Sequence, residues 1–266
     1  GEEFISPAII AGYSNSGFET MTHNLHNFAK DNVLRSGLRP VLYNSWEATE
    51  FKVSCDEQIK LAKKAKEIGA ELFVVDDGWF GERNNDDCSL GDWFVNEEKL
   101  KGGLNSLATD INKMGMQFGL WFEPEMISPK SKLYEEHPDW CIHIDGRIRS
   151  EARKQLILDL SRDEVCEAVI KMLTDVLKSA PISYVKWDMN RNMTEIGSTA
   201  WPAKKQKEIA HRYMLGLYKI LENITSNFPN ILFESCSGGG GRFDGGMLYY
   251  MPQTWTSDDT DAIERL

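Results

Sequence analysis

Short apolar runs alternate along the chain with longer segments in which apolar residues recur at helical spacing. Residues 56–68 place their apolar side chains on one helical face and stop at Gly69, which predicts a helix. Residues 71–75 follow as a nearly unbroken apolar run, which predicts a buried strand. The same spacing predicts further helices at residues 103–114, 164–179 and 204–227. Strands that alternate with helices are typical of a parallel sheet.

The pattern predicts seven strands in all. They lie at residues 39–46, 71–75, 116–122, 156–160, 183–185, 229–233 and 254–256. Nearly every predicted strand runs into acidic, polar or aromatic side chains. These are Trp46, Asp76, Asp77, Glu123, Asp188, Asn190, Glu234, Cys236, Asp258 and Asp259. Asp188 therefore follows the fifth predicted strand, and Asp258 follows the seventh.

This distribution of side chains favours one α/β architecture over another. In a (β/α)8 barrel the carboxyl ends of all strands meet at one mouth. An open doubly wound sheet brings together only the residues at its switch point. We therefore predict a TIM-type (β/α)8 barrel as the catalytic domain over residues 39–266, with a lead-in segment at residues 1–38. Because seven strands are counted rather than eight, the barrel is expected to be truncated before its last strand.

The densest group of polar side chains follows the fifth predicted strand. Lys186, Asp188 and Asn190 occupy alternate positions, so an extended chain points all three to one side. A salt-bridged strand end on a wet surface is the simpler explanation. Trp187 and the apolar run before it favour a functional site instead, because they place the strand against a core.

Charge and cysteine content narrow the possible partners and location. The net charge of -11 at pH 7 argues against nucleic acids and anionic membranes, since both attract basic patches. No apolar run has the length of a membrane span. The five cysteines include no CxxC pair, which argues against a zinc ribbon or a disulfide framework and favours a reducing cytoplasm.

An acid-rich barrel mouth suits either metal binding, as in enolase-like sites, or glycoside cleavage by a carboxylate pair. Five tryptophans at or near strand ends favour the sugar, because indole rings stack on the apolar faces of sugar rings. They are Trp46, Trp79, Trp121, Trp187 and Trp255. No histidine lies at a strand end, which further disfavours a metal. We expect a glycosidase without a metal or other cofactor.

Six motifs follow one another over residues 40–266. They are YNSWE at 43–47, VDDGWFG at 75–81, GLWFEPE at 119–125, KWDMNR at 186–191, ESCSGGGGRFD at 234–244 and SDDTD at 257–261. In this order they resemble the catalytic domain of the bacterial intracellular α-galactosidases of glycoside hydrolase family 36. The resemblance implies a retaining double displacement. It identifies Asp188 as the nucleophile and Asp258 as the general acid/base, whereas the neighbouring Asp259 faces the other way.

The resemblance also implies nine substrate-binding residues. They are Trp46, Asp76, Asp77, Trp121, Arg153, Lys186, Asn190, Cys236 and Gly239. Asp76 and Asp77 are expected to accept hydrogen bonds from the 4- and 6-hydroxyls of galactose. Five of the nine have simpler alternatives. Asp77 could cap a turn, Trp46 and Trp121 could belong to the core, Arg153 could be a solvated charge, and Cys236 could be a buried thiol.

The function implied is hydrolysis of terminal α-galactosides such as melibiose or raffinose-type sugars. An α-N-acetylgalactosaminidase or a galactosyl-transferring relative is the alternative within enzymes. A galactose-binding or purely structural barrel fragment, inactive through truncation, is the alternative outside them. Full-length members of the family often assemble, so a homo-oligomer is expected for the full-length parent.

Overall fold

The computed structural model of the chain describes residues 1, 3, 6, 8–34, 37–259 and 261–264. It divides into two compact units, residues 1–37 and 38–266. The first unit contains helix α1 (Gly17–Asn32), in which no residue is buried. All the strands of the described residues belong to the second unit.

The second unit alternates strands and helices along most of its length. The strands are β1 (Leu42–Asn44), β2 (Leu72–Val75), β3 (Gln117–Phe122), β4 (Met126–Ile127), β5 (Leu156–Ile157), β6 (Tyr184–Trp187), β7 (Leu232–Ser235) and β8 (Gln253–Thr254). The helices are α2 (Trp46–Thr49), α3 (Cys55–Glu67), α4 (Gly103–Lys113), α5 (Lys132–Glu136), α6 (Asp163–Ser179), α7 (Ile209–Asn227) and α8 (Gly245–Tyr250), and a 3₁₀ segment (Ala203–Glu208) precedes α7. The four helices predicted from spacing are present as α3, α4, α6 and α7.

Six strands form one parallel sheet in the order β1-β2-β3-β6-β7-β8. The sheet is curled into a half-barrel with helices around it, which confirms the predicted truncated TIM-type barrel. The curl brings the carboxyl ends of the strands toward a common mouth. None of the helices in the described part of the chain combines the length and apolar character that a bilayer-spanning helix needs.

The two faces of the sheet pack against different neighbours. On β2, Phe73 and Val75 belong to the large core that includes Ala62 and Ala65 of α3. Leu72 and Val74 point to the other face and pack with Tyr184 of β6 in a smaller cluster. Both faces are thus buried, as expected for a parallel sheet, and successive residues past a strand end alternate in the same way.

The face of the sheet that carries Tyr184 leaves no room for a side chain at one position of β3. A Cβ atom on Gly119 would lie 2.9 Å from the Cβ of Tyr184, so only glycine lets β3 and β6 approach this closely. Trp121 and Glu123 have the same parity as Gly119. They are therefore directed to the face on which Lys186 and Asp188 follow Tyr184.

The prediction that residues 156–160 form a barrel strand is wrong. Only Leu156–Ile157 is a strand, and it pairs antiparallel with β4 in a separate two-stranded sheet. β3 pairs directly with β6. The segment is apolar because it is buried, and burial alone does not tell which sheet a strand joins. In the described residues Asp188 therefore follows the fourth strand of the parallel sheet rather than the fifth, and Asp258 follows the sixth rather than the seventh.

Candidate active site

A cavity of about 330 Å³ opens at the carboxyl ends of the parallel strands. Nine of the eleven residues predicted for the site line it. They are Trp46, Asp76, Asp77, Trp121, Arg153, Lys186, Asp188, Asn190 and Asp258. Leu42, Tyr43, Asn44, Glu47 and Trp255 complete the lining. The volume lies in the range typical of small-molecule sites, and the lining combines aromatic walls with a few charged groups.

Asp188 is buried and held by several donors. Its Oδ2 accepts hydrogen bonds from Trp121 Nε1 at 3.0 Å and from Asn190 Nδ2 at 2.7 Å. Its Oδ1 accepts one from the backbone N–H of Met189 at 2.9 Å. These donors satisfy the carboxylate without covering it, because Asp188 still lines the cavity. The result is a carboxylate fixed in one orientation and presented to a ligand.

Lys186 lies next to this carboxylate on the same face of β6. Its Nζ donates to Asp76 Oδ2 at 3.0 Å and lies 5.3 Å from the ring centroid of Trp255. Burial disfavours the ammonium, but the negative charges of Asp76 and Asp188 outweigh it and raise the pKa of Lys186 above its usual value. The lysine is therefore a permanent positive charge in the cavity wall.

Asp77 pairs with an arginine that lies outside the predicted site. Arg83 Nε and Nη2 donate to the Asp77 carboxylate at 3.0 and 2.8 Å, and Arg83 Nη1 donates to the Cys88 carbonyl at 2.8 Å. Burial raises the pKa of Asp77, and the facing guanidinium works against that rise. Two-point contact fixes the plane of the carboxylate. Arg83 escapes sequence reasoning because it sits in an irregular loop without periodic pattern.

Asp76 is tied to the neighbouring strand as well as to Lys186. Asn44 Nδ2 donates to Asp76 Oδ2 at 2.5 Å, and the backbone N–H of Asp77 donates to Asp76 Oδ1 at 2.9 Å. The two adjacent carboxylates thus have different partners, and both still line the cavity. They form an acceptor-rich corner suited to polar ligand groups.

Asp258 is exposed, unlike Asp188. Its Oδ1 accepts a hydrogen bond from Trp255 Nε1 at 2.8 Å. Trp255 is one of the tryptophans noted at strand ends, but it is not among the predicted site residues. The adjacent Asp259 also is exposed and accepts a hydrogen bond from the backbone N–H of Asp261 at 2.9 Å, and it is not among the residues that line the cavity.

Arg153 reaches the cavity from a tight turn with an unusual backbone. Arg153 and Lys154 have φ values of +51° and +56°, in the left-handed region that non-glycine residues adopt at a cost of order 1 kcal/mol each. Lys154 Nζ lies 2.5 Å from Asp87 Oδ1, and Arg153 Nη2 lies 3.9 Å from Asp86 Oδ1. The turn is thus tied to the loop after β2, and Arg153 is placed at the edge of the site.

The tryptophans Trp121 and Trp46, which both line the cavity, differ in their burial and in their contacts. Trp121 is buried, stacks with Phe80 at a centroid distance of 6.2 Å and anchors Asp188 through its indole N–H. Trp46 is half-buried, with its ring edge-on to Phe51 at 5.1 Å. Both lie in the cavity wall, and contact of either ring with a sugar stays a prediction.

Cys236 and Gly239 are the two predicted residues outside the cavity lining. The Cys236 thiol lies beside Asp188, and burial together with that negative charge raises the pKa of the thiol. Gly239 has a φ of +85°, and a Cβ there would come within 3.2 Å of the Ser257 backbone. Cys236 therefore lies against a site residue, and Gly239 lies against the backbone that precedes Asp258. Direct contact of either residue with substrate stays a prediction. No group of three or more His, Cys, Asp or Glu side chains in the described ranges is arranged to hold a metal ion.

The family model for Melibiase matches residues 3–266. An α-galactosidase, AgaA, from Geobacillus stearothermophilus is 57% identical over 270 residues, which cover 100% of this chain and 37% of the relative. The α-galactosidase Mel36A from Lactobacillus acidophilus is 47% identical over 269 residues, with the same coverage of 100% and 37%. The chain thus spans little more than a third of the length of these relatives.

Solved structures give the same picture. A crystal structure of an AgaA variant in complex with raffinose, described as a GH36 α-galactosidase, superimposes with a TM-score of 0.92 at 57% identity. The match covers 95% of this chain and 36% of that chain. A further AgaA variant in complex with stachyose gives a TM-score of 0.91 with the same identity and coverage.

Proposed function

We propose, from the premise that this chain belongs to the melibiase family, glycoside hydrolase family 36, that it is the catalytic part of a retaining α-galactosidase. The substrates would be oligosaccharides that end in an α-D-galactosyl residue, the class to which the raffinose and stachyose bound by its relatives belong. One observation carries the proposal. Asp188 and Asp258, from different strand ends, line the same cavity.

In the first step Asp188 attacks the anomeric carbon while the bond to the leaving oxygen breaks. A covalent β-galactosyl ester of Asp188 forms, and Asp258 gives its proton to the leaving oxygen. In the second step Asp258 takes a proton from water, and the water oxygen displaces Asp188 at the same carbon. Two inversions leave galactose in its original α configuration. Retention requires the two carboxyl groups to stand about 5 to 5.5 Å apart.

The donors around Asp188 support its role as nucleophile. Trp121 and Asn190 orient one oxygen, so that the carboxylate needs little reorganisation when the sugar binds. The ammonium of Lys186 adds a positive charge to the same wall of the cavity as the Asp188 carboxylate. These contacts also keep Asp188 available as a leaving group in the second step.

Specificity for galactose is assigned to the corner formed by Asp76 and Asp77. Both carboxylates retain acceptor capacity toward the cavity, where hydroxyl groups would donate to them. A glucoside, whose 4-hydroxyl is equatorial, would leave acceptors unpaired at a cost of about 1 to 3 kcal/mol each. Each carboxylate also has a charged protein partner, Lys186 for Asp76 and Arg83 for Asp77, so we assign the discrimination to the pair together.

The test is an assay of the full-length protein on nitrophenyl α-galactoside, with Asp188→Ala beside it. We expect activity in the parent and its loss in the variant, with partial recovery when azide is added as an external nucleophile. Asp259→Asn is the matched control and should retain activity. Hydrolysis that survives Asp188→Ala, or a first product in the β configuration, would contradict the proposal. Greater activity on nitrophenyl α-N-acetylgalactosaminide would identify the related hydrolase instead.

The proposal extends to the location and assembly of the protein. All five cysteines are free, which supports a reducing cytoplasm, and several relatives are bacterial. A homo-oligomer is expected from the resemblance to the family. Sedimentation of the full-length protein would test that expectation.

A further inference from the structure

One carboxylate beside the proposed nucleophile has no part in the double displacement. Glu123 follows β3 directly and is 1% exposed. Its Oε1 accepts a hydrogen bond from the backbone N–H of Asn190 at 2.5 Å, and its Oε2 accepts one from Gln155 Nε2 at 3.2 Å. It does not line the cavity, so contact with substrate is not its role.

Glu123 connects three segments that converge on the site. These are the end of β3, the loop after β6 and the tight turn that carries Arg153. Asn190 is the central link, because its backbone donates to Glu123 while its side chain donates to Asp188 at 2.7 Å. Removing the acceptor at Glu123 would therefore release the residue that orients Asp188. The two carboxylates are held close by donors from one residue.

Charges of both signs act on Glu123. Asp188 lies across Asn190, and Asp77 faces from the end of β2. The positive charges acting on it are those of Arg153, which is half-exposed, and Arg83, which is paired with Asp77. Neither hydrogen-bond donor to Glu123 is charged. Burial and the charge of Asp188 raise the pKa of Glu123 to about 8.

We propose that Glu123 is a positioning residue for the nucleophile and that it acts as a neutral carboxylic acid, fixing the backbone of Asn190 without placing a second negative charge beside Asp188. Gln155 fits this role. Its Oε1 is buried without a partner among the described residues, and a half-turn of the amide lets that oxygen accept the Glu123 proton. The proposal rests on the assignment of Asp188 as nucleophile.

A neutral acceptor at position 123 should be sufficient for activity. Glu123→Gln keeps a carbonyl oxygen for the Asn190 N–H and carries no charge, whereas Glu123→Ala removes the acceptor. We expect the Gln variant of the full-length protein to retain kcat within about threefold of the parent, with KM unchanged, at pH 6. The Ala variant should lose at least tenfold in kcat with little change in KM. An equal loss in both variants, or a larger loss in Glu123→Gln, would overturn the proposal, because the charge would then be required.

Infrared spectroscopy tests the protonation state without relying on activity. The difference between the parent and Glu123→Gln should show the carbonyl stretch of a protonated carboxylic acid at pH 6 and lose it above pH 8. Asp188→Asn should shift that loss to lower pH, because one of the two main causes is removed, and this arm remains informative if the Gln variant fails to fold. Glu125→Gln, which removes a carboxylate of the same loop paired with Arg242 at 2.8 Å, should leave the band in place.

Absence of the acid band at pH 6 would overturn the proposal. Its failure is distinguishable from failure of the proposed function. If Asp188→Ala keeps full hydrolytic activity, the nucleophile assignment fails, whatever the spectra show. If that variant is inactive and the acid band is absent, only the role of Glu123 fails.

Discussion

The two catalytic carboxylates of the proposed site are held in opposite ways. Asp188 is buried and receives three hydrogen bonds, from Trp121, Asn190 and the backbone of Met189. Asp258 is exposed and is held through the indole N–H of Trp255. One half of the site is rigid and electrostatically crowded, while the other is accessible to water.

The difference fits the tasks proposed for the two groups. A nucleophile must stay ionised and meet one carbon atom at a fixed position, so fixed donors favour it. A general acid that later acts as a base must exchange a proton with a leaving group and then with water, so access favours it. Lys186 contacts Asp76 on the buried side and faces Trp255 on the other, and it thereby links the two halves.

The largest expected effect is a difference between Asp188 and Asp258 variants in how far their loss of activity depends on the leaving group of the substrate. Asp188→Ala should reduce kcat on every α-galactoside by about 10⁴-fold or more, because no covalent intermediate forms. Asp258→Asn should lose about 10² to 10⁴-fold on raffinose but much less on nitrophenyl α-galactoside, whose leaving group needs little protonation. Steady-state kinetics on both substrates measure the difference. Equal losses of Asp258→Asn on the two substrates would show that the exposed half does not supply the proton.

The second prediction concerns the residue that links the halves. Lys186→Met keeps the length of the side chain but leaves Asp76 buried without its cation, which for a buried pair costs on the order of 3 to 5 kcal/mol. We expect a loss of about 10²-fold or more in kcat/KM and a lower melting temperature. Lys171→Met is the control, because it removes a cation from an exposed ion pair, with Asp175 on α6, away from the cavity. Similar losses of kcat/KM in both variants would contradict a special role of Lys186 in the site.

The buried half was the more predictable one from sequence. Strand parity places Lys186, Asp188 and Asn190 on one face, and Asp76 follows its strand in the same way, so local pattern is sufficient. The half-barrel follows from the alternation of strands and helices. The motif resemblance then added roles that spacing alone does not carry.

What escaped prediction depends on contacts distant in sequence. The apolar run at residues 156–160 looks like a barrel strand, yet it forms only a short antiparallel pair with β4. Arg83 and the left-handed turn at Arg153 lie in irregular loops, where turn propensity favours glycine or asparagine rather than arginine and lysine. Glu123 stands in a motif, but its role comes from Asn190, which lies 67 positions later.

The third prediction uses pH to probe the crowding of the buried half. Glu123 keeps its proton to about pH 8 in the folded protein and loses it near pH 4.5 when unfolded. Unfolding therefore releases a proton between these values, so the free energy of unfolding of the parent should fall relative to Glu123→Gln as pH rises from about 4.5 to about 8. We expect a relative change of a few kcal/mol, measured by denaturant unfolding.

The control for this prediction removes one cause of the shift. In an Asp188→Asn background the charge of Asp188, which opposes ionisation of Glu123, is absent, so the pKa of Glu123 in the folded protein should be lower. The fall in the free energy of unfolding relative to Glu123→Gln should then end at a lower pH. The prediction would be contradicted if the free energies of unfolding of the parent and of Glu123→Gln differed by a constant amount from pH 4.5 to 8.

The smallest expected effect falls on the exposed half. Trp255→Phe keeps an aromatic ring facing Lys186 but removes the indole N–H that donates to Asp258 at 2.8 Å. A single hydrogen bond contributes about 0.5 to 1.5 kcal/mol, so we expect a loss of roughly threefold to tenfold in kcat/KM on raffinose. The loss should shrink on nitrophenyl α-galactoside, because Trp255 acts through the proton donor. A loss that is equal on both substrates would mean that Trp255 supports the site through its packing, and its hydrogen bond to Asp258 would then have no catalytic role.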